Sequence, residues 1–539
     1  MRCGPAPAPH PGQAAEHLRS AVRALPPTPV LSSGLGEHRY SGQRQAVDHD
    51  LWCVDPDEHV RDRAQRYVQD RPLPEWPQPA MLLGIGRARG FAVVAGELCV
   101  GRAAGRAGTA PEILLHMNDS PPTGKFGLSR RLVPMTGRDP EEHGRTASPL
   151  ELLFDLTFVV AVGTAAFQFA EMVAEGHAGQ AVIAFVLAMF AISIAWISFS
   201  WFASAFATDD WLYRTVTMLQ MIGVVVFSLG LPAMFHSVEE GGHLEPRAMV
   251  IGYVVMRIAM VLQWWRAARQ SPSFHDVGMA NIRWTVIVQA GWIVVAFVHM
   301  PIAVVFVAFG ILGALEIVLP VLTQGSAGGT PWHPHHVAER YGLFAIIVLG
   351  EGVVGTVASS GDLLGGGDGT HWTWNAIAVV IAGVGLTFGM WWMYFLTPFG
   401  DILVHRRSRG YLFGYGHIPL FIGVAGAGAG LHVAGLYMEH HAKISGTAVV
   451  LALALPVGLY LLMVYLLHTL LLSTADRFHI LLIALTIAVL LTAVLLAAAG
   501  VAIAVCLLVV MLAPFVTVIG YETIGHRHQQ QMLKELGTQ

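Results

Sequence analysis

The sequence predicts an all-α, polytopic helical membrane protein with about 12 transmembrane helices. Of its 539 residues, 54% are hydrophobic and 13% are charged, against about 25% charged in ordinary soluble domains. The apolar residues also gather into runs of the length, about 20 residues, that a helix needs to cross the hydrocarbon core. Six such runs lie near 150–170, 181–205, 212–235, 248–266, 282–300 and 302–320. Six more lie near 336–358, 374–396, 411–433, 446–470, 478–498 and 500–520. The tightest breaks are His299-Met300-Pro301, between spans five and six, and Ala499-Gly500, between eleven and twelve.

Charge gives the orientation independently, because short cytoplasmic loops carry the excess of Lys and Arg. With the amino terminus inside, Arg214, Arg266, Arg269, Arg283, Arg340, Arg406, Arg407, Arg409, Arg477, Arg527 and Lys534 fall on the cytoplasmic side. Arg247 and Lys443 fall outside, and Arg257 lies within span four. An eleven-to-two split would collapse if one early span were miscounted, so both termini are expected in the cytoplasm of a cell-membrane protein.

Residues 1–147 are rich in Ala, Pro, Gly and Arg, and their stretch from Met81 to Val100 holds Arg87 and Arg89, which disqualify it as a span. Two readings stand for this region: a disordered cytoplasmic tail, or upstream sequence preceding a true start at Met117 or Met135. Residues 148–525 form the membrane domain, and 526–539 a short cytoplasmic tail. Cys3, Cys53, Cys99 and Cys506 form no close pair and no metal-ligand spacing.

Two carboxylates stand at the start of span one. Ser148 at the N-cap, Pro149 at the first helical position and Glu151 at the third make a capping box, with the Glu151 carboxylate favoured by the helix dipole. Asp155 lies about 6 Å deeper on the same face and needs a partner or water. Arg257 and Glu351 sit in the middle of spans four and seven, where each ion costs roughly 2.5–3.5 kcal/mol. Opposite charges at equal depth predict an ion pair between them, serving either as a fixed salt bridge or as a proton or ion relay. Glu316 in span six, at a depth similar to Asp155, predicts an acidic vestibule with it, or a carboxylate that reaches the interface. Arg340 lies eleven residues before Glu351, nearly on the same helix face, so the two predict one lined route.

Gly350 and Gly352 flank Glu351, with Gly355 one turn on, a pattern that permits close helix approach or local unwinding. Span nine carries Gly426-Ala-Gly428-Ala-Gly430, which predicts close packing or a broken helix of the kind found in transporters. His417 reads as a hydrogen-bonded intramembrane histidine. The cluster His333-Pro-His335-His336 has ligand-type side chains but no carboxylate or Cys at metal-site spacing, so no metal and no cofactor is expected. Leu219–Val224 (LQMIGV) and Leu420–Val424 (LFIGV) occupy matching places in spans three and nine, and Glu151 and Glu339 open spans one and seven. These matches suggest two six-helix halves of the same orientation.

The run from Ser148 to Val162, SPLELLFDLTFVVAV, resembles the first signature of the bacterial low-temperature-requirement A (LtrA) family of multi-pass membrane proteins. Glu339 to Glu351, ERYGLFAIIVLGE, resembles the second. The resemblance covers roughly residues 145–525, and its motif residues here are Glu151, Phe154, Asp155, Glu339, Arg340, Gly350 and Glu351. Through the family's name it implies a link to growth at low temperature. The sequence departs from the family pattern at Gly352, where a Ser commonly follows the equivalent Glu.

The chain lacks a Walker-type phosphate loop, a His-Glu-x-x-His pair and a Gly-x-Ser-x-Gly elbow, so it is not expected to be an enzyme. Its Arg-rich amino-terminal region lacks interleaved aromatics, so nucleic acid is not an expected partner, whereas membrane lipids and a small solute or ion are. The leading expectation is a proton- or ion-coupled transporter working through Asp155, Arg257, Glu316, Arg340 and Glu351. The alternatives are a non-transporting structural or regulatory membrane protein and an intramembrane enzyme acting on a lipid-like substrate.

Overall fold

The structure, a computed structural model, describes residues 132–326, 329–364, 373–473 and 477–525. The stretch 81–100, Met117, three of the cysteines and the tail 526–539 lie outside the described residues. Within them every regular element is helical, and twelve helices are long and apolar enough to cross a membrane. They are α1 (Pro149–Glu175), α2 (Ala178–Phe206), α3 (Trp211–Glu240), α4 (Arg247–Gln270), α5 (His275–Phe297) and α6 (Ile302–Ser326), then α7 (Pro334–Leu364), α8 (Trp374–Phe395), α9 (Gly410–Met438), α10 (Gly446–Leu472), α11 (Arg477–Ala498) and α12 (Ile503–Gly520). A short helix, Phe399–His405, joins α8 to α9. The span expected at 282–300 begins earlier, because the helix continues through the polar turns from His275 before its apolar run starts.

Local chemistry sets the helix ends. The Ser148 hydroxyl accepts from Glu151 N while the Glu151 carboxylate accepts from Ser148 N, completing the expected capping box. Asp210 caps α3 through Tyr213 N, and Ser445 caps α10 through Ala448 N. Gly176, at φ 99°, ends α1 in the left-handed conformation that glycine adopts without a Cβ clash.

Contacts at the termini distinguish two ends of the bundle. At the near end, where α1 begins, Arg138 N donates to Ala205 O and His333 N to the Ser204 hydroxyl. At the far end, Lys443 N donates to Ala174 O. Residues 132–147 do not behave as free tail: Val133 N donates to Asp210, Met135 N to Gln270, Arg145 to Ala203 O and Ala147 N to Glu339. The amides of Val133, Met135 and Ala147 thus find side-chain acceptors on the helices, while Arg138 N and the Arg145 guanidinium satisfy the helix-end carbonyls of Ala205 and Ala203.

The densest packing repeats. In α3, a Cβ on Gly223 would lie 2.9 Å from Met256 N, and one on Gly230 would lie 2.2 Å from Met249 N, both in α4. In α9, a Cβ on Gly423 would lie 2.8 Å from Tyr460 N, and one on Gly430 2.7 Å from Leu453 Cα, both in α10. Each glycine pair and each partner pair is seven residues apart, two helical turns on one face. Without a hydrophobic drive between helices in lipid, such backbone contact is what holds neighbours together. The run Gly426 to Gly430 lies inside the continuous helix α9, so the glycines serve packing and the broken-helix expectation is corrected. Pro456 in α10 leaves the Ala452 carbonyl without its usual donor, and Gly430 packs against that carbonyl.

Gly230→Ala and Gly430→Ala are each expected to destabilise the purified protein by about 1–3 kcal/mol through overpacking. Gly310→Ala in α6, whose Cβ would meet nothing within 4 Å, is expected to leave it unchanged or slightly raised. Thermal unfolding in one detergent, followed by tryptophan fluorescence, compares the three.

Candidate charge sites within the spans

Arg340, on the second turn of α7, is completely buried. Its Nη2 donates to Asp155 Oδ1 at 2.5 Å and to the Ser200 hydroxyl at 3.2 Å, and its Nη1 lies 3.1 Å from Glu151 Oε1. Asp155, also wholly buried, accepts a second hydrogen bond from Trp196 Nε1 at 2.7 Å. His336 adds a nitrogen 3.4 Å from Glu151 Oε1. The helical spacing of Glu151 and Asp155 aims both carboxylates at one guanidinium, and Trp196 and Phe199 lie beside it. Phe154 packs on Phe199 with ring centroids 3.9 Å apart. Glu339 accepts from Ala147 N at 3.1 Å. Arg340 is thus sealed between α1, α2 and α7, and it does not line a route with Glu351.

Arg257 does not pair with Glu351. Its Nη2 reaches Glu316 Oε2 at 2.7 Å, and its Nη1 donates to the Ser198 hydroxyl at 2.8 Å. Tyr253 OH donates to Glu316 Oε1 at 2.9 Å, lies against Arg257 Nη2, and is joined on that carboxylate by Trp292 Nε1 at 3.3 Å. Equal depth was the wrong criterion, because it does not say which side chains face one another, and Glu316 of α6 is the carboxylate that meets Arg257. For the same reason Asp155 and Glu316 form no shared acidic vestibule: each is held by its own arginine. Both members of this pair line a cavity of about 80 Å³ between α2, α4, α5, α6 and α9, room for several water molecules. Trp201, Trp264, Tyr411 and Tyr415 form its aromatic walls, while Asn281 and Thr285 add polar groups. Thr330 and Tyr411 place one side of the cavity at the near end.

Glu351, at mid-length of α7, is buried, and no hydrogen bond or ion pair reaches its carboxylate among the described residues. Its Oε1 lies 3.1 Å from where a Cβ on Gly163 of α1 would stand, and Gly428 of α9 packs on its backbone. Gly352 meets Thr387 Oγ1 at 2.3 Å from its notional Cβ, so a serine there would displace Thr387, which accounts for the departure at this position. Gly350 touches nothing in this way, and α7 runs unbroken.

His417 and His333 are satisfied structurally. His417 Nδ1 donates to Phe413 O at 2.7 Å and its Nε2 meets Tyr394 OH at 3.1 Å. His333 Nε2 donates to Glu142 O at 2.9 Å, while His335 stands near Asp401. Sequence reading missed the ion pair of Asp210 with Arg266 at the near end, where Arg266 also donates to Val133 O at 2.8 Å. Its signal was the N-cap Asp210 opposite the last turn of α4. At the far end Glu175, His177 and Glu239 bring ligand-type atoms within 4.8 Å of one another.

These sites fall within a recognisable sequence unit. The chain matches Bacterial low temperature requirement A protein (LtrA) over residues 146–514, which spans both signature motifs, the first eleven helices and the first part of α12. The chain belongs to the LtrA family. It is also 26% identical over 291 residues to an uncharacterized protein of Rhizobium meliloti (strain 1021), covering 52% of this chain and 67% of the relative. No solved structure matches. In this LtrA protein Glu151 and Asp155 of the first signature meet Arg340 of the second, and Phe158 packs edge-on against Phe344, so the two signatures, nearly two hundred residues apart, are in contact.

Two outcomes follow from this geometry. Arg340→Leu is expected to destabilise the protein by about 3–5 kcal/mol, because two buried carboxylates lose their cation. The triple change Arg340→Leu, Asp155→Asn, Glu151→Gln is expected to recover part of that loss, measured by thermal unfolding in detergent.

The second outcome concerns the near-end strap. The hydrogen bond from Arg138 holds the Glu142 carboxyl below its ordinary range, so its contribution is present above the unfolded pKa and lost as pH falls through the folded one. Burial lowers His333 below its usual 6.5, and protonation of the unfolded form below that pH also weakens the folded state. Hydrogen-exchange protection of residues 132–147 is therefore expected to fall from pH 7 to pH 4, and His333→Gln to remove the part of that fall that begins near 6.5.

Proposed function

We propose that this LtrA protein is a transporter of a small solute in the cell membrane, coupled to protons or ions, with both termini in the cytoplasm. The observation that carries this reading is the cavity whose floor is the Arg257–Glu316 pair. Charged side chains at mid-helix are costly in a bilayer, and a purely structural pair is better placed in a dry contact than on the wall of a water-sized cavity. The side of the cavity at Thr330 and Tyr411 is where this reading has the solute approach the pair. Glu351 adds a buried carboxylate with no cation beside it, the kind of group a proton or an ion visits in coupled transport. The excess of Arg at the near end supports placing that end in the cytoplasm. Membrane lipids and the carried solute are the partners this reading requires.

A second reading, a static structural or regulatory role, draws on the sealed cluster of Arg340, Glu151 and Asp155. That cluster holds most of the charged signature residues and opens to no solute. Under this reading neutralising substitutions change folding and leave no flux to lose.

The test uses purified full-length protein in proteoliposomes, with internal pH and transient currents followed while ions and small solutes are applied. Transport predicts a signal in wild type that falls at least about tenfold in Arg257→Met and Glu316→Gln, a loss of about 1.4 kcal/mol of differential binding. Glu351→Gln is expected to retain solute binding and lose the accompanying proton signal. Silence of folded wild-type protein across the panel would sink the transport reading.

A further inference from the structure

The cavity floor carries one cation and one anion, and this balance restricts what it accepts. We infer that the cavity binds a small zwitterion of amino-acid type, with a carboxylate and an ammonium group on a short apolar body. The inference rests on the proposal that this cavity is the solute site and names the class of solute.

Charge bookkeeping at low dielectric comes first. A net anion or net cation entering a site that already contains a matched pair leaves one charge uncompensated, and an unpaired buried charge is the expensive case. A zwitterion adds zero net charge. It inserts between the partners, carboxylate on Arg257 and ammonium on Glu316, so that every charge keeps a counter-charge. The donors and acceptors present suit that insertion. Arg257 lines the cavity, with Nη1 on the Ser198 hydroxyl and Nη2 on Glu316, so a ligand carboxylate takes the place of Glu316 on a guanidinium suited to carboxylate geometry. Glu316 is held at its other oxygen, Oε1, by Tyr253 OH and Trp292 Nε1, which keeps the carboxylate oriented when Arg257 turns to a ligand. The aromatic walls at Trp201 and Trp264 accept an apolar body and attract an ammonium group by their faces.

The position of Glu316 adds a mechanical consequence. Helix α6 packs chiefly on α5 among the described helices, and both Arg257 and Tyr253 of α4 bond to Glu316. A ligand that enters between Arg257 and Glu316 takes over the first of these contacts, while Tyr253 still ties α6 to α4.

The test is binding in detergent, independent of any flux. Purified full-length protein is titrated with leucine and alanine as zwitterions. The matched controls lack one charge each: 4-methylpentanoate and propionate lack the ammonium group, and 3-methylbutylamine and ethylamine lack the carboxylate. Tryptophan fluorescence, which Trp201 and Trp264 report, and calorimetry give the affinities. A zwitterion is expected to bind about tenfold or more tightly than its single-charge counterparts, since each counterpart leaves a buried partner unmet. Thr285→Phe, which fills the cavity without touching the ion pair, is expected to abolish binding with thermal stability kept. Glu316→Gln is expected to invert the preference, with 4-methylpentanoate now binding more tightly than leucine, because Arg257 alone favours an anion.

Equal or tighter binding of a single-charge compound to wild type would overturn the inference, as would zwitterion affinity unmoved by Thr285→Phe. So would failure of every zwitterion to bind at millimolar concentration. Leucine binding without uptake in proteoliposomes would leave the inference standing and remove the transport reading. Uptake of a net-charged solute with no zwitterion binding would do the reverse.

Discussion

Around the guanidinium of Arg340 the problem of burying charge in a membrane protein is solved once, and the first half of the bundle is built on that solution. Two carboxylates from one face of α1 and one arginine from α7 meet where no water reaches, so none of the three is tolerable without the others. The contact locks two parallel helices from opposite halves of the chain in depth and rotation. Trp196 and Ser200 then bring α2 to the same point by hydrogen bonds. The aromatic stack of Trp196 and Phe344, with centroids 4.2 Å apart, and the packing of Phe154 on Phe199 fill the space that remains.

Around that anchor, two glycine-lined crossings impose a rhythm on the rest. The α3–α4 and α9–α10 pairs use the same seven-residue interval and the same backbone-on-backbone approach. The similarity between LQMIGV and LFIGV therefore has a mechanical basis, since the shared glycine in each, Gly223 and Gly423, is one of the two points where backbone meets the neighbouring helix. The two halves diverge in their last helices. Here α12 packs against α8, whereas α6 is tied mainly to α5. The space left in the first half is where the Arg257–Glu316 cavity lies.

Much of the fold was legible in the sequence. Twelve apolar runs gave twelve helices, because a span's length and hydrophobicity are set by the bilayer and not by its neighbours. The capping box at Ser148 and Glu151 was equally local and equally readable. Pairing was harder. Arg257 and Glu351 were matched by depth along separate helices, but depth says nothing of which helices are neighbours, and Glu316 on α6 was the nearer carboxylate. Asp155 was known to need a partner, yet the partner's identity required the contact between α1 and α7. The glycines of α9 were ambiguous until their neighbours showed that packing uses them. Residues 132–147 looked like tail because they lack apolar period, and their order comes from hydrogen bonds to helix ends that composition does not reveal.

The neutrality of the cavity floor also bears on how the protein feels membrane voltage. An isolated charge moved across the membrane exchanges about 2.3 kcal/mol with each 100 mV of potential. Arg257 and Glu316 together carry no net charge, so the electric field does almost no work on them as long as they stay at one depth. Glu351 has no such companion. The membrane potential therefore acts on the bundle differently at two places: it is blind to the paired site and is felt by the lone carboxylate at the contact of α1 with α7 whenever that group is ionised.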